Sequence, residues 1–211
     1  MEESKKLIVE KASMLFMRYG IKSVSMDDVA RHLAISKKTL YEQIKDKHEL
    51  VALSIQLQEK EYLETTDNLR KKGLAALDEM FEVYKMVSEI FAKLNPAFQY
   101  DLNKYYPQLC EKMMRQEKNH IYEDVLRNLK KGKKEGVYRQ EIKEDIIARM
   151  HSSRHHAMHE KNEEETSLLA NQESFEELFL YHFYAILNDK GRELLKSKNY
   201  FSINKIKEAK S

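Results

Sequence analysis

An all-α protein is predicted by three observations. Apolar residues recur at helical spacing along nearly the whole chain, helix-capping residue types stand just ahead of those runs, and 211 residues hold only 5 Gly and 2 Pro to interrupt them. Charged residues make up 34% and hydrophobic ones 42%, the balance of helices that bury one face and wet the other. No segment alternates as the strands of a β-meander do. A chain of this length can hold a small domain plus a medium one.

The first helix is marked by Leu7, Ile8, Ala12, Leu15 and Phe16, and Tyr19-Gly20 closes it. Residues 25–50, SMDDVARHLAISKKTLYEQIKDKHEL, then read as two short helices meeting at a tight turn, followed by the start of a longer one. Ser25 can cap the first with Asp28 completing a capping box, and Val29, Ala30 and Leu33 give it an apolar face. Ser36 can cap the second, whose inward residues Leu40 and Ile44 are four apart. Asp46 can cap the third, with Glu49 as its capping-box partner. Helices this short do not stand alone, so the upstream helix must pack against them. The product is a helix-turn-helix unit whose second helix presents Lys37, Lys38, Thr39, Tyr41 and Gln43, side chains suited to phosphates and base edges.

Residues 47–70 continue as a helix with Leu50, Leu53, Ile55, Leu57, Tyr62 and Leu69 on its apolar side, broken by Gly73. Residues 74–94 carry a broad stripe of Leu77, Met80, Phe81, Tyr84, Val87, Ile90, Phe91 and Leu94, which marks a helix central to its domain. Pro96 and Pro107 bracket a segment of one or two helical turns. The helix after Pro107 turns Leu109, Met113, Ile121, Val125 and Leu129 inward and is expected to fray in the basic stretch 130–136, with Val137-Tyr138 as a loop anchor. Residues 143–161 form a helix that is apolar at Ile146, Ile147 and Met150 and then polar. Residues 172–187 are apolar nearly all round. Exposed apolar surface of that extent calls for a partner chain, and Phe175, Leu178, Phe179, His182, Phe183 and Ile186 are the expected dimer face. The stretch 160–165 reads as a solvated loop and the tail from Asn199 as loosely held. About nine helices are expected in all.

The formal charge of +2 is too small for indiscriminate nucleic-acid binding, but its placement matters. Residues 1–50 hold ten basic and eight acidic side chains, so the whole surplus lies there, crowded around the exposed second helix of the turn unit. The single cysteine, Cys110, excludes an internal disulfide framework and suits a reducing cytoplasm. No apolar run approaches a membrane span and no signal peptide is expected ahead of the first helix. The chain is therefore expected in the cytoplasm, with no membrane partner.

Residues 25–50 resemble the DNA-binding domain of the TetR family of bacterial transcriptional regulators. The residues that carry the likeness are Gly20, Ser25, Val29-Ala30, Ser36, Thr39-Leu40-Tyr41, Lys47 and Glu49-Leu50. The family's turn usually has Gly where this chain has Ala34. If that residue needs a positive φ, Ala costs about 1 kcal/mol more than Gly, and a slightly different turn is expected. The resemblance implies a helix-turn-helix domain over residues 1–50 and a helical domain over 51–211 that binds a small-molecule effector and dimerises through its last two long helices. It also implies a homodimeric repressor on a palindromic double-stranded operator, released when the effector shifts the helix joining the two domains. By the same resemblance Thr39, Tyr41 and Lys47 meet phosphates. Lys37, Lys38 and Tyr41 are the candidates to reach base edges, assisted by Ser25, Met26 and Gln43, with Ser36 at the head of that helix.

Two other readings stand beside it. One is a DNA-binding dimer with no small-molecule inducer. The other is a metal-dependent helical-bundle enzyme, because His151, His155 and His159 recur every four residues with His156 beside them, a spacing metals use. No acidic or cysteine ligand keeps step with them except Glu163, and no paired carboxylates, nucleophile–base pair or glycine-rich phosphate loop supports catalysis. No cofactor or metal is therefore assigned. Cys110 reads as a small buried hydrophobe. Met80, Phe81, Tyr84, Met86, Phe91, Phe98, Tyr100, Met113 and Met114 can line a cavity or fill a core equally well.

Overall fold

The computed structural model describes residues 3–93, 95–157 and 172–198. Among them are ten helices: α1 (Glu3–Tyr19), α2 (Met26–His32), α3 (Lys37–Gln43), α4 (Lys47–Lys71), α5 (Ala76–Lys93), α6 (Pro96–Tyr105), α7 (Pro107–Lys134), α8 (Glu144–Ala157), α9 (Gln172–Ile186) and α10 (Asp189–Ser197). The one extended pairing among the described residues is an isolated antiparallel bridge between Tyr138 and Leu187.

Helices α1 to α3 and the start of α4 form the head. Ile8, Val9, Ala12 and Phe16 of α1 pack on Val29, Ala30, Leu40, Ile44, Leu50 and Val51. Leu7, expected inside, is 48% exposed, and Val9 is buried in its place. Both lie beside Ile8 in sequence, and the line set by Ala12 and Phe16 runs back to Ile8 and Val9, four and three residues before Ala12. Gly20 takes φ +82°, and its N–H donates to Phe16 O at 2.9 Å, ending α1.

The turn between α2 and α3 corrects the expectation of an altered turn. Ala34 itself takes φ +53°. Its N–H donates to Arg31 O at 3.1 Å, and Ile35 N–H reaches back to Ala30 O at 3.0 Å. This is the six-to-one hydrogen bond of a Schellman ending, with alanine in the left-handed position that glycine usually fills. Half-buried Leu33 and Ile35 pack on the head's core and hold the turn in place.

The body is built from α5, the distal halves of α4 and α7, α8, α9 and α10. Leu77, Met80, Leu129, Tyr138, Phe175, Phe179, Phe183, Ile186 and Leu187 form a second core. Helix α7 does not fray in 130–136: it runs to Lys134 because Tyr138 folds back over it. The fully buried Tyr138 ring lies where a Cβ on Gly132 would stand 2.1 Å from it, so only glycine admits it. Tyr138 Oη donates to Asn128 Oδ1 at 2.8 Å, and Asn128 Nδ2 donates to Ala76 O at 2.9 Å. Segment α6 is a ten-residue helix, longer than the one or two turns expected, because Asn95 caps it and Pro96 occupies its first position. Helix α10 was not anticipated. Asn188 caps it by accepting the Gly191 N–H at 2.9 Å, and Gly191 and Leu195 are buried on its inward side with Leu194 packed beside them.

The expected dimer face is corrected as well. Phe175, Phe179, His182, Phe183 and Ile186 are buried within the subunit and Leu178 is half-buried. A helix apolar on every side fills its own core first. Here Tyr84 of α5 stacks on Phe175 with centroids 5.8 Å apart and packs against Phe179 at 5.1 Å. The outward aromatics of α9 are Tyr181 and Tyr184, and α8 exposes Ile146 and Met150.

His151 also faces inward, its ring 4.3 Å from that of His182 and edge-on to Phe179. The side chains of His155 and His156, and all of His159 and Glu163, lie outside the described residues, as do Leu94, the Phe91 side chain, the stretch 160–165 and the tail from Asn199. Among the described residues no group of three or more His, Cys, Asp or Glu is arranged to hold a metal ion. The Met and aromatic set does not line one space. Phe98, Met113 and Met114 belong to the head's core, Met80, Phe81 and Tyr84 to the body's, and Tyr100 is exposed.

Candidate nucleic-acid interface

The head's short helices are set by side chains placed just ahead of them. Ser25 Oγ accepts the Asp28 N–H at 3.1 Å while Asp28 Oδ2 accepts the Ser25 N–H at 2.9 Å, a complete capping box. The Ser25 side-chain and backbone hydrogen bonds hold the Asp28 carboxyl below the usual carboxylate range. Ser36 Oγ accepts the Thr39 N–H at 3.0 Å and pairs with the Thr39 hydroxyl at 2.8 Å, starting α3. Asp46 Oδ1 accepts the Glu49 N–H at 2.8 Å. The box at α4 is offset from the expected one, since Glu49 reaches the Lys45 N–H at 2.6 Å and not that of Asp46. Glu49 also receives Lys5 from α1 at 2.8 Å, and these two bonds, Lys5 first, hold its pKa down.

Helix α3 turns Leu40 and Ile44 wholly inward, which fixes its opposite side toward solvent. On that side Lys37, Lys38, Thr39 and Tyr41 are exposed, Tyr41 by 50%, and Gln43 is half-buried with Ser4 Oγ 3.5 Å from its amide oxygen. Ser25 and Ser36 are exposed at the starts of α2 and α3. Lys37 reaches Asp27 of α2 at 2.5 Å. One expected site residue is not on this surface: Met26 is buried in the head's core, because it shares the inward side of α2 with Val29 and Ala30, three and four residues on.

Lys47 opens α4 and is half-buried. Burial pushes its pKa down, and the Asp101 and Asp28 carboxylates oppose that shift, Asp101 more strongly. Asp28 belongs to the first turn of α2, so the N-terminal ends of α2 and α4 lie on the same side of the head as Lys47. Lys47 is thus a cation at the opening of α4 and near the first turn of α2, placed to meet an anionic backbone. Asp101, on α6, carries no motif, and sequence reasoning did not find it.

Residues 8–53 match the family model for bacterial regulatory proteins, tetR family. No curated protein sequence matches the chain. Solved structures similar in fold include a transcriptional regulator from Cytophaga hutchinsonii, 15% identical over 89% of this chain and 100% of that one, with a TM-score of 0.68. A transcriptional regulator from Saccharomonospora viridis in complex with choline is 14% identical over 89% and 100% of the two chains, with a TM-score of 0.65. Regulatory protein TetR from Rhodobacter sphaeroides is 12% identical over 86% and 99%, with a TM-score of 0.60. At these identities the structures speak for the fold, while the family model speaks for the head. Residues 8–53 are thus a regulatory head of the bacterial tetR family, joined to an all-helical body that shares its fold with solved transcriptional regulators.

Proposed function

We propose that the chain is a transcriptional regulator of this family that binds a palindromic operator as a homodimer and represses transcription until a small-molecule effector releases it. The observation that carries the reading is the outward side of α3, where Lys37, Lys38, Thr39 and Tyr41 stand exposed beside the N-terminal ends of α2 and α4. In this reading residues 1–50 are the DNA-binding domain and residues 51–211 the effector-binding and dimerisation domain. Thr39 and Lys47 meet phosphates and set the register, Lys37 and Lys38 reach base edges with help from Ser25 and Gln43, Ser36 stands at the head of α3, and Tyr41 serves both roles. Two such heads enter successive major-groove faces about one helical turn apart or somewhat more.

Dimerisation falls to the outward faces of α8 and α9, where Ile146, Met150, Tyr181 and Tyr184 are exposed. An effector site in the body is supported by the fold shared with a choline-bound regulator, and by α4, which runs unbroken from the head into the body. Coupling of this sort typically amounts to about 1–3 kcal/mol. A regulator of this kind works beside DNA in the cytoplasm, and no helix among the described residues is long and apolar enough to cross a membrane.

Selection of bound sequences from random duplex DNA at near-physiological salt tests the reading. An inverted repeat is expected. Recovery of no preferred sequence, or of a single unrepeated half-site, counts against it. Tyr41→Ala should abolish binding of the selected duplex while the dimer stays folded, and unchanged affinity in a gel-shift assay would refute Tyr41's role.

A further inference from the structure

Helix α6 belongs to the body's run of chain but grips the head. The Asn95 N–H donates to Met17 O at 3.0 Å, and Asn95 Nδ2 donates to Arg18 O at 3.0 Å. The Lys22 N–H donates to Asp101 Oδ2 at 2.6 Å. Gly20 lies so close that a Cβ there would stand 3.0 Å from both Ala97 Cβ and Asp101 Oδ2. Every one of these contacts holds the head's backbone, so α6 fixes the path of the chain between α1 and α2. Asp101 is 5% exposed. A carboxylate this buried is held by its hydrogen bonds and neighbouring charges or not at all.

The same carboxylate faces a second part of the interface. Among the charges that favour the ammonium form of Lys47, Asp101 is foremost, ahead of Asp28. Tyr106, at the end of α6, brings its ring within 5.6 Å of that of His48, the next residue of α4. Asp101 therefore stands between the loop that leads into Ser25 and the residue that opens α4. Those two segments bracket the α2–α3 unit in the chain, the loop leading into α2 and Lys47 following α3.

We propose that Asp101 is a positioning residue for DNA binding: from the body, it fixes the posture of the 20–24 loop and of Lys47, and so decides how the head docks on the duplex. The inference rests on the DNA-binding reading above. Moving α6 carries Asp101 with it, and the N-terminal end of α2 must follow through the Lys22 N–H. The body thus has a grip on the head at the phosphate-facing side, separate from the continuous α4.

The alternative is that Asp101 merely satisfies a buried N–H. The two differ in what a variant changes. Asp101→Asn keeps an oxygen for the Lys22 N–H and removes the charge facing Lys47, whereas Asp101→Ala removes both. For the selected duplex we expect Asp101→Ala to weaken binding by roughly tenfold or more, the usual scale for a hydrogen bond to a charged group. Asp101→Asn should retain most of the affinity, within about threefold. A second readout follows hydrogen exchange at the backbone of α6. In the native chain, adding the duplex should slow exchange there, and in Asp101→Ala it should not.

Asp101→Ala with native affinity and native slowing at α6 overturns the proposal. So does a loss of affinity that merely tracks a lowered melting temperature, with the slowing at α6 intact. If Asp101→Ala fails to fold, Asp101→Asn decides. Weakened slowing at α6 on adding the duplex supports the proposal, and native slowing there overturns it. A native chain that selects no duplex sinks the DNA-binding reading and this proposal together, a result distinct from a native chain that binds while its variants bind equally.

Discussion

In the head, each helix from α2 to α4 is started by a side chain three residues before the N–H it accepts: Ser25 for Asp28, Ser36 for Thr39, Asp46 for Glu49. In the body α10 is capped in the same local way by Asn188, but the other clasps reach across longer stretches of chain. Tyr138 reaches Asn128 and through it Ala76, Glu79 accepts Arg127 at 3.0 Å and Lys131 at 2.9 Å, and Lys198 bonds Asp78 at 2.7 Å from 120 residues away. Asp124 collects Arg70 of α4 and Arg127 of its own helix, which pins the far end of α4. The contrast shows where each half's stability comes from. The head is a set of locally determined turns around a small core, and the body is one aromatic core closed by distant polar clasps. The two are not sealed from each other, since Phe98, Leu102, Cys110, Met113 and Met114 of α6 and α7 complete the head's core.

The strongest way to break the contrast is to hollow out the body and watch the head. Phe183 is wholly buried between Phe179 and the second core. Phe183→Ala should cost about 3–5 kcal/mol in urea unfolding. If the halves are as differently held as described, the body should melt first and leave the α2–α4 amides protected longer in hydrogen exchange. Simultaneous loss of protection throughout would show that the shared α6–α7 contacts make one cooperative unit.

Next in size is a titration confined to the seam between α4 and α7. Burial, and then Glu59 of α4, push the Glu117 carboxyl up from 4.5 to about 7. Between those two values the folded chain holds a proton that the unfolded chain has released. Stability contributed at this position is therefore greatest below the unfolded value and falls as pH rises toward the folded one, by ~3 kcal/mol across the window. Glu117→Gln removes that slope, so its advantage over the native protein should grow from pH 5 to pH 8. Urea midpoints that run parallel across that range would show that Glu117 ionises freely in the fold.

The smallest effect sharpens the head alone. Ala34 at φ +53° bears a left-handed backbone that glycine adopts without a Cβ penalty. Ala34→Gly should gain up to about 1 kcal/mol, offset in part by the extra chain entropy of glycine. A loss of stability would mean that the Ala34 methyl contributes contacts that outweigh its backbone cost.

This division also explains what the sequence made legible. The caps at Ser25, Ser36 and Asp46 and the inward pair Leu40 and Ile44 were readable because donor, acceptor and core residue lie within a few positions of one another. Periodicity located α4, α5, α7, α8 and α9 but not what their faces touch. A helix apolar on all sides gives no phase, so Phe175 and Phe183 pointed to a partner chain when they point to α5 and the subunit's own core. Met26 follows the same logic at shorter range, a residue type and position suited to the surface that packing drew to the inward side of α2. Asp101 and the Gly132–Tyr138 fit were beyond reach, since each depends on a meeting of segments that no local pattern announces.

Helix α4 is 25 residues long. At about 1.5 Å of rise per residue it is a rod of ~37 Å. Clamped near Arg70 and carrying the head at Lys47, such a rod has the mechanics of a pointer: a tilt of ~5° at the clamp sweeps the tip by ~3 Å. In the proposed dimer the two sweeps would add, and a mismatch of several ångströms would take one reading helix out of its groove while its twin stays seated. A disturbance far too slight to repack the body can in this way be magnified into a decision between bound and released.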